Sequence, residues 1–423
     1  MELEGLETQP PPAKHPKNSS PTSASATPIH SLTDDLLLQI FLRLPSLATL
    51  VRAALACRAW SRAVVSSPAF RRRFRELHRT PLLGFFFECP SPIQDPAIPL
   101  FPSFVPVRRR EGDLSIAVRG GDFFLTCLQE HPIKSQSWDI LDCRGGYVLL
   151  CNDGQAGAQA MAVVNPLARQ CRLVDYRHVD ALEGRRGTFF DLNGYLLCSE
   201  EDPASFRVVL IAHDESRVRA TVFSSDTCEW QIHPWVDVPG PPRGSESWLL
   251  KCTMQSNGFL YMVYKNDGYM VTLNTATMEF SAEELPQLLK NERCSFSAGE
   301  TINGAPCIVY AIGFTVGVML SRTDVDGTKK WMLDRVTRFR WNQKCMYDGL
   351  LVLAVRDGFA YLATSNKTCF FANSSWFWSL CLQTMKVENA FQRTYGTVAY
   401  PYVMAWPPCL VGNNGRSALD GGM

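Results

Sequence analysis

The side chains with most chemistry to offer are fifteen cysteines and seven histidines, and their spacing offers little. No two cysteines form a Cys-x-x-Cys pair. All seven histidines precede residue 234, and none lies near paired cysteines at zinc-ligand spacing. The cysteines are odd in number and scattered, and several, such as Cys151, Cys198, Cys307 and Cys381, sit in strand-like apolar runs. That pattern predicts buried free thiols in a reducing compartment. There is no Gly-x-Ser-x-Gly elbow, no Walker loop and no His-Glu-x-x-His pair. The sequence nominates no catalytic residue, no metal ligand and no cofactor.

Three clusters invite sharper readings. Arg71-Arg72-Arg73 with Arg75 has the composition of a nuclear-import or phosphate-binding stripe. Phe70 and Phe74 mark the buried side of the same helix, so a solvated face is the simpler reading. Arg108-Arg109-Arg110, in a loop ahead of a strand, is read the same way. In Trp376-Phe377-Trp378, alternation puts both tryptophans on one strand face. They could wall a ligand site, but packing between sheets accounts for them more simply.

Bulk numbers narrow the classes. At 423 residues the chain exceeds one comfortable hydrophobic core, so two domains, or a small one beside a large repeat domain, are expected. Apolar content of 46% with 20% charged fits a folded chain. A formal net charge of +1 supplies no global field for nucleic acid or an acidic membrane. No apolar run approaches the ~20 residues that span a bilayer. The opening MELEGLETQPPPAKH lacks the basic start and apolar centre of a secretion signal.

The elements follow from punctuation. Residues 1–30, rich in Pro, Ser, Thr and Ala, predict a disordered tail. Residues 413–423 are expected to be a flexible C-terminal tail. Helices start at SLTDDLLLQIFLRL. Ser31 or Thr33 can cap the first, Asp34 and Asp35 suit its dipole, and Pro45 ends it. Ser46 caps a second helix with the buried stripe Leu47, Leu50, Val51, Ala54 and Leu55. A third carries Trp60 and Val64. Ser67-Pro68 starts a fourth, with Phe70, Phe74 and Leu77 on one face.

From about residue 83 the pattern turns to strands. Tight hairpins are expected at Asp153-Gly154, Asn193-Gly194, Asn257-Gly258, Asp267-Gly268, Asn303-Gly304, Asp348-Gly349 and Asp357-Gly358. MAVVNPLARQCRLV, ATVFSSDTCEWQI, MVTLNTATMEFSA and SLCLQTMKVENAF share a strand–bend–strand grammar, with bends near Asn165, Ser225, Thr275 and Gln383. A degenerate copy near Trp331 fills the long gap. The period of about 50–60 residues matches the longer propeller blades, and about 320 residues at that period give roughly six.

The first helix is too apolar for its size. Leu37, Ile40, Phe41 and Leu44 make one stripe, while Leu36, Leu38 and Leu42 spill around the helix. A bundle of about 45 residues buries one stripe per helix. The surplus needs cover from the β-domain or from another protein.

The run SLTDDLLLQIFLRLPSLATLVRAALACRAWSRAVVSSPAFRRRF resembles an F-box. It matches at Leu32, Asp35, Leu37, Ile40, Phe41, Leu44, Pro45, Leu50, Cys57, Arg58, Trp60 and Phe70. Thr33 stands where the family most often has proline, which bears on the N-terminal contact rather than the motif. VFSSDTCEWQIHPW, LNTATMEFSAEELP, AVRDGFAYLATS and AYPYVMAWPPCLVG are similar to the F-box-associated β-repeat region of plant F-box proteins, especially those of grasses.

The resemblance, over about residues 31–412, implies an α+β multidomain chain. An F-box helical domain at 31–79 precedes an all-β, propeller-like domain of about six blades at 83–412. It implies a non-catalytic substrate receptor of a Skp–cullin–F-box ubiquitin ligase, in the cytoplasm or nucleus. A Skp-type adaptor, and through it a cullin, would dock on Leu32, Leu36, Leu37, Ile40, Phe41, Leu44, Pro45, Leu50 and Val51. The β-domain would hold a protein target, with neither nucleic acid nor membrane as a partner. Conjugating enzymes brought by the cullin arm would do the chemistry, and this subunit would act by proximity. Four or five such apolar residues, fully covered, give a gross term near 10 kcal/mol, much of it offset by lost translational and rotational freedom. Two other readings stand beside this one: a propeller scaffold outside any ligase, its helices capped by its own propeller, and a propeller hydrolase, for which no residue is nominated.

Overall fold

The computed structural model describes residues 32–78, 80–88, 101–107, 112–129, 137–152, 160–176, 179–187, 191–198, 202, 205–214, 216–238, 254–264, 268–323, 329–340, 347–365, 374–394 and 399–407. Both expected tails lie outside these residues, as do Arg108, Arg109, Arg110, Asp267 and the Asp153-Gly154 pair.

Four helices come first: α1 (Asp34–Phe41), α2 (Leu47–Leu55), α3 (Arg58–Val65) and α4 (Pro68–Leu77). Ser46 and Ser67 cap α2 and α4, accepting from the Thr49 and Phe70 N–H groups at 3.3 and 3.2 Å. Thr33 holds the cap position of α1, but its hydroxyl makes no capping bond. Helix α1 stops at Phe41, ahead of Pro45. The Arg43 and Leu44 N–H groups donate to the carbonyls of Ile40 and Phe41, three residues back, and this tighter winding ends the helix.

Strands follow. β1 (Leu82–Phe87) and β2 (Ser103–Pro106) lead to the short helices α5 (Gly112–Gly120) and α6 (Thr126–Gln129). Four four-stranded sheets and one with an extra short strand come next. They are β3 (Asp139–Arg144), β4 (Tyr147–Asn152), β5 (Ala160–Asn165), β6 (Gln170–Val174); β7 (Asp191–Cys198), β8 (Phe206–His213), β9 (Arg217–Ser224), β10 (Trp230–Ile232), β11 (Val236–Asp237); β12 (Met254–Ser256), β13 (Phe259–Tyr264), β14 (Tyr269–Asn274), β15 (Phe280–Glu284); β16 (Cys294–Glu300), β17 (Pro306–Ile312), β18 (Thr315–Thr323), β19 (Lys329–Arg338); and β20 (Gly349–Arg356), β21 (Phe359–Ser365), β22 (Ser374–Cys381), β23 (Val387–Thr394). The last strand, β24 (Ala399–Val403), returns to pair with β1, giving the sheet β2-β1-β24. β24 touches both β3 and β20, the inner strands of its neighbours. The result is a six-bladed β-propeller behind a small helical domain, closed by a blade that mixes both ends of the β-region.

Six apolar clusters hold the ring, one in each gap between blades. Second strands face a cluster on each side, so Val148–Leu150, Val208–Ala212 and Leu260–Tyr264 are buried throughout. Trp376, Phe377 and Trp378 obey the same geometry. The tryptophans join the cluster between the fifth and sixth blades, and Phe377 joins the next one, stacked on Phe391 at 4.8 Å. They pack the ring.

The repeated bends are the turns between third and fourth strands. Arg169, Cys228, Met278 and Met385 occupy equivalent places there, with φ of 53, 61, 58 and 55°. The Ser225 N–H donates to Phe206 O at 2.9 Å and the Thr275 N–H to Gly258 O at 2.8 Å, tying each such turn to the neighbouring one in its blade. Asn257-Gly258 and Asp357-Gly358 make the expected two-residue hairpins, all four with positive φ. Gly304 lies in the β16–β17 turn and Gly268 in the turn before β14, also with positive φ. Asn193-Gly194 and Asp348-Gly349 do not make hairpins. Gly194 lies within β7, where a Cβ would meet the Leu141 side chain, and Gly349 opens β20. Close approach of neighbouring chain, not a turn, selects glycine there.

Gly299, on inner strand β16, has no room for a side chain: a Cβ would overlap the Val355 carbonyl and lie 2.5 Å from the Val355 Cβ. Gly299→Ala is expected to destabilise the chain by about 1–3 kcal/mol, read from urea unfolding. Gly120→Ala, with open space around it, should shift stability by less than about 0.5 kcal/mol.

Candidate docking surface on the helical domain

Helix α1 carries two apolar stripes. Leu37 (4% exposed) and Phe41 (3%) point inward, and Phe41 meets Trp60 edge-on at 5.6 Å. Leu38, Leu42 and Leu44 are half-buried against the same core. Leu36 (55%) and Ile40 (44%) point outward, one turn apart, beside exposed Gln39 and Arg43. In α2, Leu47, Ala48, Leu50 and Ala54 are buried.

The nine residues expected to dock an adaptor therefore divide. Leu36, Ile40 and Pro45 are exposed, and Leu32, Leu44 and Val51 are half-buried. Leu37, Phe41 and Leu50 are enclosed in the chain's own core. In this arrangement they lie beneath the surface and expose almost no area. Two residues of the expected buried stripes differ in the opposite sense. Leu55 and Leu77, expected to be buried, are exposed at the ends of α2 and α4.

The inward side meets both the bundle and the propeller. One continuous core contains Leu37, Leu50, Val64 and Phe74 together with Leu83, Phe86, Ile140 and Trp406. Phe74 packs edge-on against Trp406 at 6.0 Å, and the Met404 N–H donates to Pro81 O at 2.8 Å. His78 Nε2 lies 2.7 Å from Leu42 O, fastening the end of α4 to the end of α1. The surplus apolar surface is thus shared: the propeller covers one part, and the Leu36–Ile40 stripe stays open.

Charge plays a smaller part. Arg71 does not lie on a solvated face. It is buried and donates through Nη1 to Val65 O at 3.0 Å. Arg72 and Arg73 are exposed, and the exposed Arg73–Glu76 pair at 2.8 Å contributes little. A feature the sequence did not signal is Phe124, 82% exposed in the turn before α6, and Ile116, exposed on α5, which touches α2. Neither belongs to a periodic pattern. Asp122 anchors this segment. Burial raises its pKa, but N–H groups of Thr126 and Cys127 donate to its carboxylate at 3.0 and 3.2 Å, and the net effect is a lowered value.

Among the described residues none of the ten cysteines forms a disulfide, and no three His, Cys, Asp or Glu side chains converge as metal ligands would. No described helix is long and apolar enough to cross a membrane.

A family model described as F-box protein AT5G49610-like, beta-propeller, matches residues 139–410. The chain belongs to this family. An F-box-like model matches residues 30–76, which hold α1 to α3 and all but the last residue of α4. The chain is thus a plant-type F-box protein. No curated protein matches it. Solved structures similar to it include a protein from Lactobacillus plantarum (11% identical, 64% of this chain and 74% of that one, TM-score 0.33). Others are a mutant Aleuria aurantia lectin in complex with alpha-methyl-L-fucoside (10%, 62% and 78%, 0.33) and a catalytically inactive virginiamycin B lyase from Staphylococcus aureus with quinupristin (13%, 62% and 72%, 0.31). At these scores nothing about function follows from them. F-box plus propeller is an architecture typical of non-catalytic receptor subunits, and F-box domains generally bind Skp-type adaptors.

The two stripes of the F-box helix α1 should separate in stability measurements. Leu37→Ala is expected to cost about 2–5 kcal/mol, as a buried leucine does. Leu36→Ala should change unfolding free energy by less than about 0.5 kcal/mol.

Proposed function

We propose that this F-box protein is the substrate receptor of a Skp–cullin–F-box ubiquitin ligase. A Skp-type adaptor docks on Leu36 and Ile40, with Leu32, Leu44, Pro45 and Val51 at the rim. A cullin is joined through the adaptor, and the propeller presents a protein target. The observation that carries the reading is the open Leu36–Ile40 stripe on a helical domain whose opposite side is already committed to the propeller.

The magnitudes fit a shared interface. Covering Leu36 and Ile40 completely contributes about 1.5–3 kcal/mol each at most, so the pair supplies a few kcal/mol gross. The half-buried rim must add to it before the cost of association is met. The subunit changes no barrier itself. It holds target and conjugating enzyme at high effective concentration, in the cytoplasm or nucleus. The enclosure of Leu37, Phe41 and Leu50 favours the second reading, a propeller scaffold outside any ligase.

Co-purification with a plant Skp adaptor separates the two. The wild-type chain should retain the adaptor. A Leu36→Asp/Ile40→Asp double variant should lose binding at least 100-fold while keeping its circular dichroism spectrum and melting temperature, since both side chains face water. Retention of the adaptor by the folded double variant would refute the docking assignment, and no binding by the wild type would favour the scaffold.

A further inference from the structure

A cavity of about 590 Å³ lies where the helical domain meets the open end of the ring. That volume falls in the range of roughly 300–1,000 Å³ typical of small-molecule sites. Its floor is made by the last residues of inner strands: Arg144 ends β3, Cys198 ends β7, Glu300 ends β16 and Arg356 ends β20. Its apolar lining comes from both domains: Leu47 and Phe74 from the helices, Leu197 and Phe206 from the third blade, and Met404 and Trp406 from the segment after β24.

The floor is built around two guanidinium groups. Arg356 is buried. Its Nη1 donates to Pro401 O at 3.3 Å, its Nη2 stands 3.8 Å from Asp142 Oδ1, and its Nε has no hydrogen-bond partner. Asp142 lies below the floor as the facing carboxylate, and its two oxygens also accept from the Cys143 and Leu196 N–H groups at 2.7 and 2.9 Å. Arg144 donates through Nη2 to Gln255 O at 3.3 Å, while the buried Gln255 Oε1 has no partner. Burial first, then the neighbouring Arg356 charge, push the Arg144 pKa below its ordinary value. Around the whole cavity four arginines (75, 144, 207 and 356) and His78 face three carboxylates (Asp226, Glu300 and Asp357). A buried, under-partnered guanidinium asks for an acceptor. The aromatic and aliphatic walls ask for an apolar body.

We propose that this cavity binds a small amphipathic organic anion, its acidic group between Arg144 and Arg356 and its apolar body against Phe74, Met404 and Trp406. Such a ligand touches the helical domain and the ring together, so its binding favours their assembled arrangement. The assignment goes beyond the receptor reading and does not depend on adaptor docking.

Calorimetric titration of the full chain tests it, with 1-naphthoate and 1-naphthyl phosphate as acidic probes and 1-naphthalenemethanol as the neutral one. One-site binding of at least one acidic probe is expected, at least tenfold tighter than the neutral analogue and accompanied by a higher melting temperature. Arg144→Gln should weaken it at least tenfold. Ala405→Trp, which fills the cavity from its wall, should abolish it with the circular dichroism spectrum unchanged. Should Ala405→Trp fail to fold, Arg144→Gln decides. Equal binding of the neutral probe, unchanged binding by the folded variants, or no one-site binding of either acidic probe at 1 mM would overturn the proposal.

Discussion

The pairing of β1 with β24 is the contact on which the rest of the molecule depends. It brings Phe86 opposite Tyr400 and Phe85 opposite Pro401, joining segments separated by most of the chain. Without it the ring has two open edges, and the inner strands β3 and β20 lose their common neighbour. The same few residues also hold the F-box in place. β1 starts five residues after α4 ends, and the segment leaving β24 carries Met404 and Trp406 back onto Pro81 and Phe74. Closing the ring and seating the helices are therefore one event in packing terms.

That constraint decides how the apolar surplus of the helices is used. A leucine stripe turned to the propeller joins a core that continues through Phe86, Phe123 and Tyr402, whose rings meet at 5.3 to 6.1 Å. Such a core is not detachable without exposing large aromatic area. The stripe that remains is narrow, and it sits on a base that does not tilt. A partner held by Leu36 and Ile40 would have its orientation to the ring fixed by the junction rather than by a linker. Rigid placement suits a subunit that works by proximity, because effective concentration falls when geometry is loose.

Much of this was legible in the sequence, and the parts that were not share a cause. Helix starts at Ser46 and Ser67 are local chemistry, so they read directly. The blade count came from strand pairs within one repeat. The first blade left no copy of the strand–bend–strand repeat, because its strands lie at residues 82–106 and 399–403, beyond any periodic window. Turns at Cys228 and Met278 use non-glycine residues at positive φ, so the Asx-Gly signal passed over them and only the strand–bend–strand repeat marked them, near Ser225 and Thr275. Gly194 carried that signal inside a strand, where the glycine serves packing against Leu141. Periodicity grouped Ile40 with Leu37 and Phe41 and left Leu36 as spill-over, whereas Ile40 faces outward with Leu36, because which side turns in depends on the side the propeller takes. The cavity was invisible for a related reason: Arg144, Glu300 and Arg356 end strands of three different blades.

The central claim is that helical domain and ring form one cooperative body. Native-state hydrogen exchange along a denaturant series tests it most directly. The amides of Leu50, His78, Phe86 and Met404 should exchange through a common opening, with free energies agreeing within about 1 kcal/mol and converging on the global unfolding value. Opening of the Leu50 and His78 amides several kcal/mol below those of Phe86 and Met404, with the ring still protected, would contradict the account.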